Sequence, residues 1–430
     1  MLSSGAIFHV ALTALSAMAK IFLVSVVGIL ASKYPKGAPL LPPLALRTLS
    51  RLSNLVLLPA LMVASLGSAL SVAMLQRMAI LILFCILTNL VSYSFAFTVG
   101  KILHEDDPVL SIATSVAIGS PNAISFPLMV MQTLCDEPLV SADDYAGKAS
   151  LCIADANSML FVYSIGWHVM FWSYGWTMLK TLVVDKHQQR ETTAQIVSRM
   201  ILSPSMLAIY LGIFIGIIGP IRTAMFRDFT VLRPLGSALK TLGDPVVCLN
   251  CLVMSANLAQ IDLSPVSRLL TTASSWFSSA AEGSVFDKET TVHELVSVSS
   301  PLHNSVAESA AEAEAAVAVE QGDPSPPPLP QFCTILSFIL CRLVLTPHVM
   351  VPVIRLAADG QLIGSSERLM QLVCIIESAA PSAQLVVVSL TQLGHSRAAS
   401  QMAFLYVFQY ASCIITVTAW TSAGMSLVYS

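Results

Sequence analysis

Apolar residues in this chain run in long uninterrupted stretches, without the strict alternation of a half-buried strand or the narrow apolar stripe of a surface helix. A helix rises 1.5 Å per residue, so crossing a hydrocarbon core takes about 20 apolar residues. Ten stretches meet that requirement, at roughly 6–31, 46–70, 75–101, 109–132, 151–180, 202–221, 235–260, 332–356, 367–394 and 400–427. The gaps between them collect charged and turn-forming residues and read as loops. No Lys or Arg precedes the first stretch, and it is longer than the roughly 7–15 residues of a signal-peptide core, so it is expected to be a retained span.

Ten spans split into five before and five after the fifth loop, and parity then places the two sets in opposite orientations. The predicted fold is an all-α membrane protein with ten transmembrane helices in two inverted five-helix repeats, the fourth and ninth helices broken and crossing. Local echoes support the pairing: SVAIGSPNAISFPLMVMQ from Ser115 and LVCIIESAAPSAQLVVVSL from Leu372 each hold a proline among small residues. The first repeat is expected over 1–180, a short cytosolic loop over 181–201, the first two helices of the second repeat over 202–260, a disordered cytosolic linker over 261–331, and the last three helices over 332–430.

The chemistry is expected at the mid-span prolines. An unpaired backbone group in hydrocarbon costs several kcal/mol, so a proline there is tolerated only where protein or a water-filled cavity satisfies what it frees. A break at Pro121 or Pro381 creates a new helix N-terminus, whose free N–H groups and positive dipole end attract an anion by about 0.3–2 kcal/mol each. Asn122 follows one proline and is placed to cap that half-helix or donate to a ligand; Gln384 stands three residues after the other. Ser120, Ser125 and Ser382 complete the predicted substrate-binding set. The bland alternative is a pair of ordinary kinks whose polar neighbours satisfy the backbone.

Ionisable residues within spans are costly and each carries two readings. Glu377, one turn before Pro381, reads as the carrier of a coupling proton or as half of a structural salt bridge to Arg342 or Lys20. Asp244, just before Pro245, reads as a coupling charge or a helix N-cap, and His168 as a proton shuttle or a packed, hydrogen-bonded histidine. Asn54, Asn89, Asp155, Asn157, Asn250, Asn257, His348 and Gln409 are further buried-polar candidates.

Composition agrees with a lipid setting. Of 430 residues, 55% are hydrophobic and 11% charged, against about a quarter charged in soluble domains. The net charge of -3 offers nothing to nucleic acid. Lys33, Lys36, Arg47, Arg51, Lys186, Arg190 and Arg199 gather in alternate loops, which places those loops in the cytosol and both termini outside or in a lumen; Arg222, Arg227 and Arg233 dissent. The segment 261–331 ends in a Glu-studded Ala-rich run and PSPPPLP, a composition that cannot bury enough apolar surface to fold. The nine cysteines form no secreted framework. Cys248 and Cys251 read as packing residues, and Cys135 and Cys152, flanking one hydrophilic loop, are able to pair if that side is oxidising.

Together these residues resemble the auxin efflux carrier superfamily, the plant PIN and PIN-LIKES carriers and their microbial relatives. LGDPVVCLNCLVMSANLAQ from Leu242 is similar to the seventh-span signature of the PIN-LIKES branch, IGSPNAISFPL from Ile118 to the broken fourth helix, ESAAPSAQLVVVSLTQLG from Glu377 to the broken ninth, and ILCRLVLTPHVMVPVI from Ile339 to the eighth. The resemblance implies that Pro121 and Pro381 form the crossover, that Asn122 contacts a carboxylate, and that the first, second, sixth and seventh spans scaffold a moving bundle in an elevator-like cycle. It departs from PIN carriers in placing the long hydrophilic segment after the seventh span rather than the fifth.

The expected function is therefore secondary transport of a small organic anion, an auxin-like monocarboxylate being what the resemblance implies. No enzymatic activity, cofactor or metal is expected. The expected partners are the anion, the lipid bilayer and, for assembly, a second copy of the chain. The endoplasmic reticulum membrane is favoured over the plasma membrane. An intramembrane hydrolase lacks any nucleophile motif, and the remaining alternative is a non-transporting receptor or scaffold acting through the 261–331 segment.

Overall fold

The computed structural model describes residues 4–35, 39–136, 140, 145–182, 193–226, 231–259, 332–364 and 367–429. The chain divides into Met1–Ile261 with Pro330–Ser430 and a second unit, Asp262–Leu329, which is the expected linker and lies outside the described residues. The described residues are helical, without a strand. In chain order they form α1 (Ser4–Lys33), α2 (Pro43–Leu52), α3 (Leu58–Ala69), α4 (Val72–Met78), α5 (Ile80–Leu103), α6 (Pro108–Gly119), α7 (Ser125–Cys135), α8 (Ala149–Met170) and α9 (Trp176–Lys180). Then come α10 (Thr193–Ile201), α11 (Pro204–Ile217), α12 (Gly219–Phe226), α13 (Arg233–Gly243), α14 (Val246–Ala259), α15 (Phe332–Ile339), α16 (Thr346–Asp359), α17 (Arg368–Ala379), α18 (Leu385–Gln392) and α19 (Ser396–Val428).

Among the described residues, helix length and composition give six or seven candidate spans, where ten are expected. Six helical runs are long and apolar enough to cross a membrane, Leu44–Ala69, Val72–Leu103, Ala149–Lys180, Arg233–Ala256, Phe332–Asp359 and Arg397–Val428, or seven with the bent pair α11 and α12. The expected span at 202–221 stops at Ile217, and the chain turns by 101° into α12. The backbone turns extended at Ile218, and Pro220, in the first turn of α12, has no N–H to continue the ladder of α11. The bend also brings Arg222 Nη1 to the Leu70 carbonyl at 2.9 Å, at the end of α3. A cation there complements the negative end of the helix, which accounts for one arginine that opposed the charge-based topology.

Prolines shape other helices less drastically. Short π-helical turns, Ser53–Leu57 and Leu340–Leu345, stand immediately before Pro59 and Pro347. A proline removes one N–H and crowds the carbonyl four residues earlier, and the extra residue of a π-turn absorbs the clash. The Leu343 carbonyl freed by Pro347 accepts from Trp420 Nε1 at 2.9 Å. Elsewhere α6 begins at Asp107, whose carboxylate accepts from the Leu110 N–H at 3.0 Å with Pro108 in the first helical position.

Close approach joins α11 to α3. Along α11, Gly212 and Gly216 face α3, where an added Cβ would meet Leu66 Cβ at 2.9 Å and the Leu66 carbonyl at 2.7 Å respectively. This Gly-x-x-x-Gly spacing lets two helices pack without a hydrophobic driving force between them. On the other side, α1 packs along α14 and α19, α5 along α6 and α8, and α17 is enclosed by α5, α7, α8, α16 and α19.

Cys135, ending α7, and Cys152, in α8, form a disulfide with a Cα–Cα separation of 5.6 Å. The other described cysteines form no disulfide; Cys251 is buried, 3.3 Å from Ser25 Oγ, and Cys248 is exposed. A disulfide closing a loop of this size stabilises by about 3 kcal/mol and persists only in an oxidising compartment. In intact membranes under non-reducing conditions, a maleimide reagent is expected to label Cys135 and Cys152 only after a reductant is added. Cys152→Ser should lower the thermal midpoint; labelling without reduction places this loop in a reducing compartment instead.

Candidate functional site

The breaks at the two mid-span prolines meet. After α6 the backbone leaves helical geometry at Ser120, and after α17 it does so at Ala380. Between them Pro121 and Ser382 form an antiparallel bridge. The Asn122 N–H donates to the Pro381 carbonyl at 2.7 Å and the Ala383 N–H to the Ser120 carbonyl at 2.8 Å. Each non-helical segment thus satisfies part of the other, as buried backbone requires.

Side chains satisfy most of what remains. Gln409 Oε1 accepts from the Ser382 N–H at 2.9 Å, Tyr410 Oη donates to the Ser382 carbonyl at 2.9 Å, and Tyr406 Oη donates to the Ala383 carbonyl at 2.9 Å. Tyr93 on α5 shares a 2.9 Å hydrogen bond with Ser120 Oγ. Asn122 has a double role: its Oδ1 accepts from the Ser125 N–H at 3.1 Å, capping α7, and its Nδ2 donates to Tyr410 Oη at 3.1 Å. Asn250 on α14 reaches the same helix start, with Nδ2 donating to Ser125 Oγ at 3.2 Å and Oδ1 accepting from Ser53 Oγ.

A set of donors is left over. Phe126 and Leu385, in the first turns of α7 and α18, each have an N–H with no hydrogen-bond partner among the described residues. Pro127 removes a further N–H from the first turn of α7. Ser382 Oγ, Gln384 Nε2 and Gln409 Nε2 are buried and likewise unpartnered among the described residues. Ser120, Pro121, Ser382 and Gln409 are buried, whereas Asn122, Ser125, Gln384, Tyr410 and Asn250 are half-buried. Unpartnered donors thus gather about the positive ends of α7 and α18 with no cationic side chain among them.

Arg342 is fully buried behind this crossover. Its Nε donates to the Ala380 carbonyl at 2.7 Å, its Nη2 to the Glu377 carbonyl at 3.1 Å and its Nη1 to Ser92 Oγ at 2.6 Å. The guanidinium therefore caps the carbonyl end of α17, where the break exposes acceptors and the dipole is negative. The salt bridge considered for Glu377 is absent among the described residues: both carboxyl oxygens are buried without a hydrogen-bond partner, and no ion pair joins them to Arg342 or Lys20.

The remaining sequence candidates fall elsewhere. Asp244 is not a helix N-cap; it is exposed at the end of α13, its N–H bonded to the Lys240 carbonyl, where Pro245 begins the turn into α14. His168 is buried with Nδ1 2.7 Å from the Ser164 carbonyl and its ring edge-on to Trp167, a packed histidine. Asp155 lines a separate cavity of about 290 Å³ with Arg77, Glu367 and Arg368. That cavity adjoins the start of α17, about 18 Å along the helix from the crossover at its other end. Among the described residues no cluster of three or more metal-ligating side chains occurs.

Sequence reasoning missed Tyr93, Tyr406, Tyr410 and Ser53. Tyr406 and Tyr410 stand one helical turn apart around Gln409 in an otherwise apolar span, the spacing that puts hydroxyls on one face. Tyr93 carried no comparable signal. Its ring fills the space beside Gly119, where any Cβ would overlap it.

Residues 13–421 match a protein-family model described as membrane transport protein, nearly the whole chain. No curated protein matches the sequence. Three variants test the crossover in purified protein by thermal denaturation. Arg342→Leu leaves the buried Ala380 carbonyl without a donor, the Glu377 carbonyl keeping the Ala380 N–H, and is expected to cost about 1–3 kcal/mol. Tyr410→Phe removes one hydroxyl and should cost about 1 kcal/mol, and Gly119→Ala, which forces Tyr93 aside, about 1–3 kcal/mol. An Arg342→Leu variant as stable as the wild type contradicts the capping role.

Proposed function

The chain belongs to the membrane transport protein family, the auxin efflux carrier domain, and from that membership we propose a secondary transporter that moves a small organic anion through the crossover by alternating access. The observation that carries the reading is the set of free donors at the two half-helix starts: the N–H groups of Phe126 and Leu385 with Ser382 Oγ, Gln384 Nε2 and Gln409 Nε2. A carboxylate accepts several hydrogen bonds at once. It gains from both dipole ends, and leaves readily because no fixed cation holds it.

Half-buried apolar residues beside the donors, Ile124 and Leu385, together with Phe126 and the Tyr410 ring, suit a ligand with an apolar body and one charged end. An auxin-like monocarboxylate, indole-3-acetate for example, has that form. Ser120, Pro121, Asn122, Ser125, Pro381, Ser382 and Gln384 are the proposed binding residues, with ten spans in two inverted halves as the architecture around them. The moving body in an elevator-like cycle comprises the broken pairs α6–α7 and α17–α18 with α5, α8, α16 and α19. The scaffold comprises α1, α3, α11, α13 and α14. Ser53 and Asn250, hydrogen-bonded to each other and on to Ser125, supply a small polar contact between scaffold and mover that is able to break and re-form. The endoplasmic reticulum membrane is the proposed residence and a homodimer the proposed assembly.

Liposomes containing the purified protein provide the test, with labelled indole-3-acetate and a panel of small carboxylates as probes. Pro121→Ala, which allows helix to continue through the break, and Asn122→Ala, which uncaps α7, are each expected to lower initial uptake at least tenfold, about 1.4 kcal/mol. Unchanged uptake in both variants overturns the site.

A further inference from the structure

Glu377 is the one carboxylic acid on the broken helices α6, α7, α17 and α18, and the anion-binding reading leaves it without a task. It is fully enclosed, and neither carboxyl oxygen receives a hydrogen bond among the described residues. Four residues separate it from Pro381, so along the helix it stands about 6 Å from the break. Arg342, the cation beside it, directs Nε, Nη1 and Nη2 to the Ala380 carbonyl, Ser92 and the Glu377 carbonyl and makes no ion pair or hydrogen bond with the carboxyl oxygens.

The other ionisable groups that face the carboxyl are Cys85 from α5, Tyr163 from α8 and Cys374 from its own helix. None supplies a positive charge. Thr88 Oγ1 and Asn89 Nδ2, nearby on α5, are bonded to the carbonyls of Phe84 and Cys85, one turn back on their own helix. A carboxylate in this position would be a buried charge with no donor and no direct counter-ion, the arrangement that folded proteins avoid by keeping the acid neutral.

We propose that Glu377 carries one proton through the transport cycle and that this proton travels with the anion. The proposal rests on the anion site at the crossover and assigns its coupling. An ionised Glu377 and a bound monocarboxylate would be like charges on one short segment, with no free cation between them. Protonating Glu377 removes that repulsion, so proton and anion favour each other's binding, and linkage makes the effect reciprocal. When the broken segments open to the other side, the Glu377 O–H bond breaks, its electron pair remains on the carboxylate, H⁺ passes to water, and the anion leaves with it. One negative and one positive charge cross together, so the step is electroneutral.

Two measurements on the full-length purified chain decide the matter. The first is an infrared difference spectrum, wild type minus Glu377→Gln, at neutral pH. A carbonyl band of a protonated carboxylic acid, present in the wild type and lost in the variant, is expected; its absence means that Glu377 is ionised beside Arg342 and overturns the proposal whether or not transport is observed. The second uses liposomes with a trapped pH-sensitive dye and indole-3-acetate as probe. In the wild type, anion entry should acidify the lumen and accelerate when the outside is made more acidic, between pH 8 and about 6, where the probe remains ionised. In Glu377→Gln both the proton signal and that acceleration should vanish. Anion uptake in the wild type without proton movement, or proton movement that survives in Glu377→Gln, overturns the coupling while leaving the anion site intact. If the wild type moves none of the carboxylates, the transport reading fails, and the infrared result still decides the proton.

Discussion

Two helix breaks inside an apolar body can persist only if the backbone groups they release find partners, and here each break is largely the other's partner. The paired Asn122–Pro381 and Ser120–Ala383 hydrogen bonds replace a stretch of helix that Pro121 and Pro381 cannot form. Arg342 takes the carbonyls at the end of α17, while Gln409, Tyr406 and Tyr410 take the polar groups of the second break. Breaking this mutual arrangement at any one point exposes backbone in a place where water is scarce, so the crossover acts as a single cooperative element.

That economy is also what leaves a site. Carbonyls at the crossover are mostly claimed, whereas some N–H groups and amide donors at the starts of α7 and α18 are not. The imbalance favours an electron-rich visitor. A buried cation would bind an anion more strongly but release it slowly, and Arg342, the cation in the vicinity, is turned to the carbonyls at the end of α17.

Helix packing away from the crossover obeys different constraints. Gly212 and Gly216 bring α11 against α3 by removing side chains, and the disulfide between α7 and α8 fastens one half of a broken helix to a continuous neighbour. A short polar chain, Ser53 to Asn250 to Ser125, reaches the start of α7, where α1 and α14 also pack directly on that helix.

The order of apolar stretches, the mid-span prolines at 121 and 381 and the polar residues after them were all readable along the chain, because hydrophobic run length and proline stereochemistry act locally. The pairing capacity of Cys135 and Cys152 was readable for the same reason, as residues flanking one loop. Among the described residues six or seven helical runs are long enough to cross, since the breaks at Pro121 and Pro381 and the bend at Ile218 divide other stretches into shorter helices. Partnership was decided by the tertiary structure alone: that Arg342 serves carbonyls and not Glu377, that Asp244 lies exposed, that His168 is packed, and that tyrosines from α5 and α19 close the crossover. Hydrogen bonds between residues far apart in sequence depend on which faces the packed helices turn toward each other, and no local pattern encodes that.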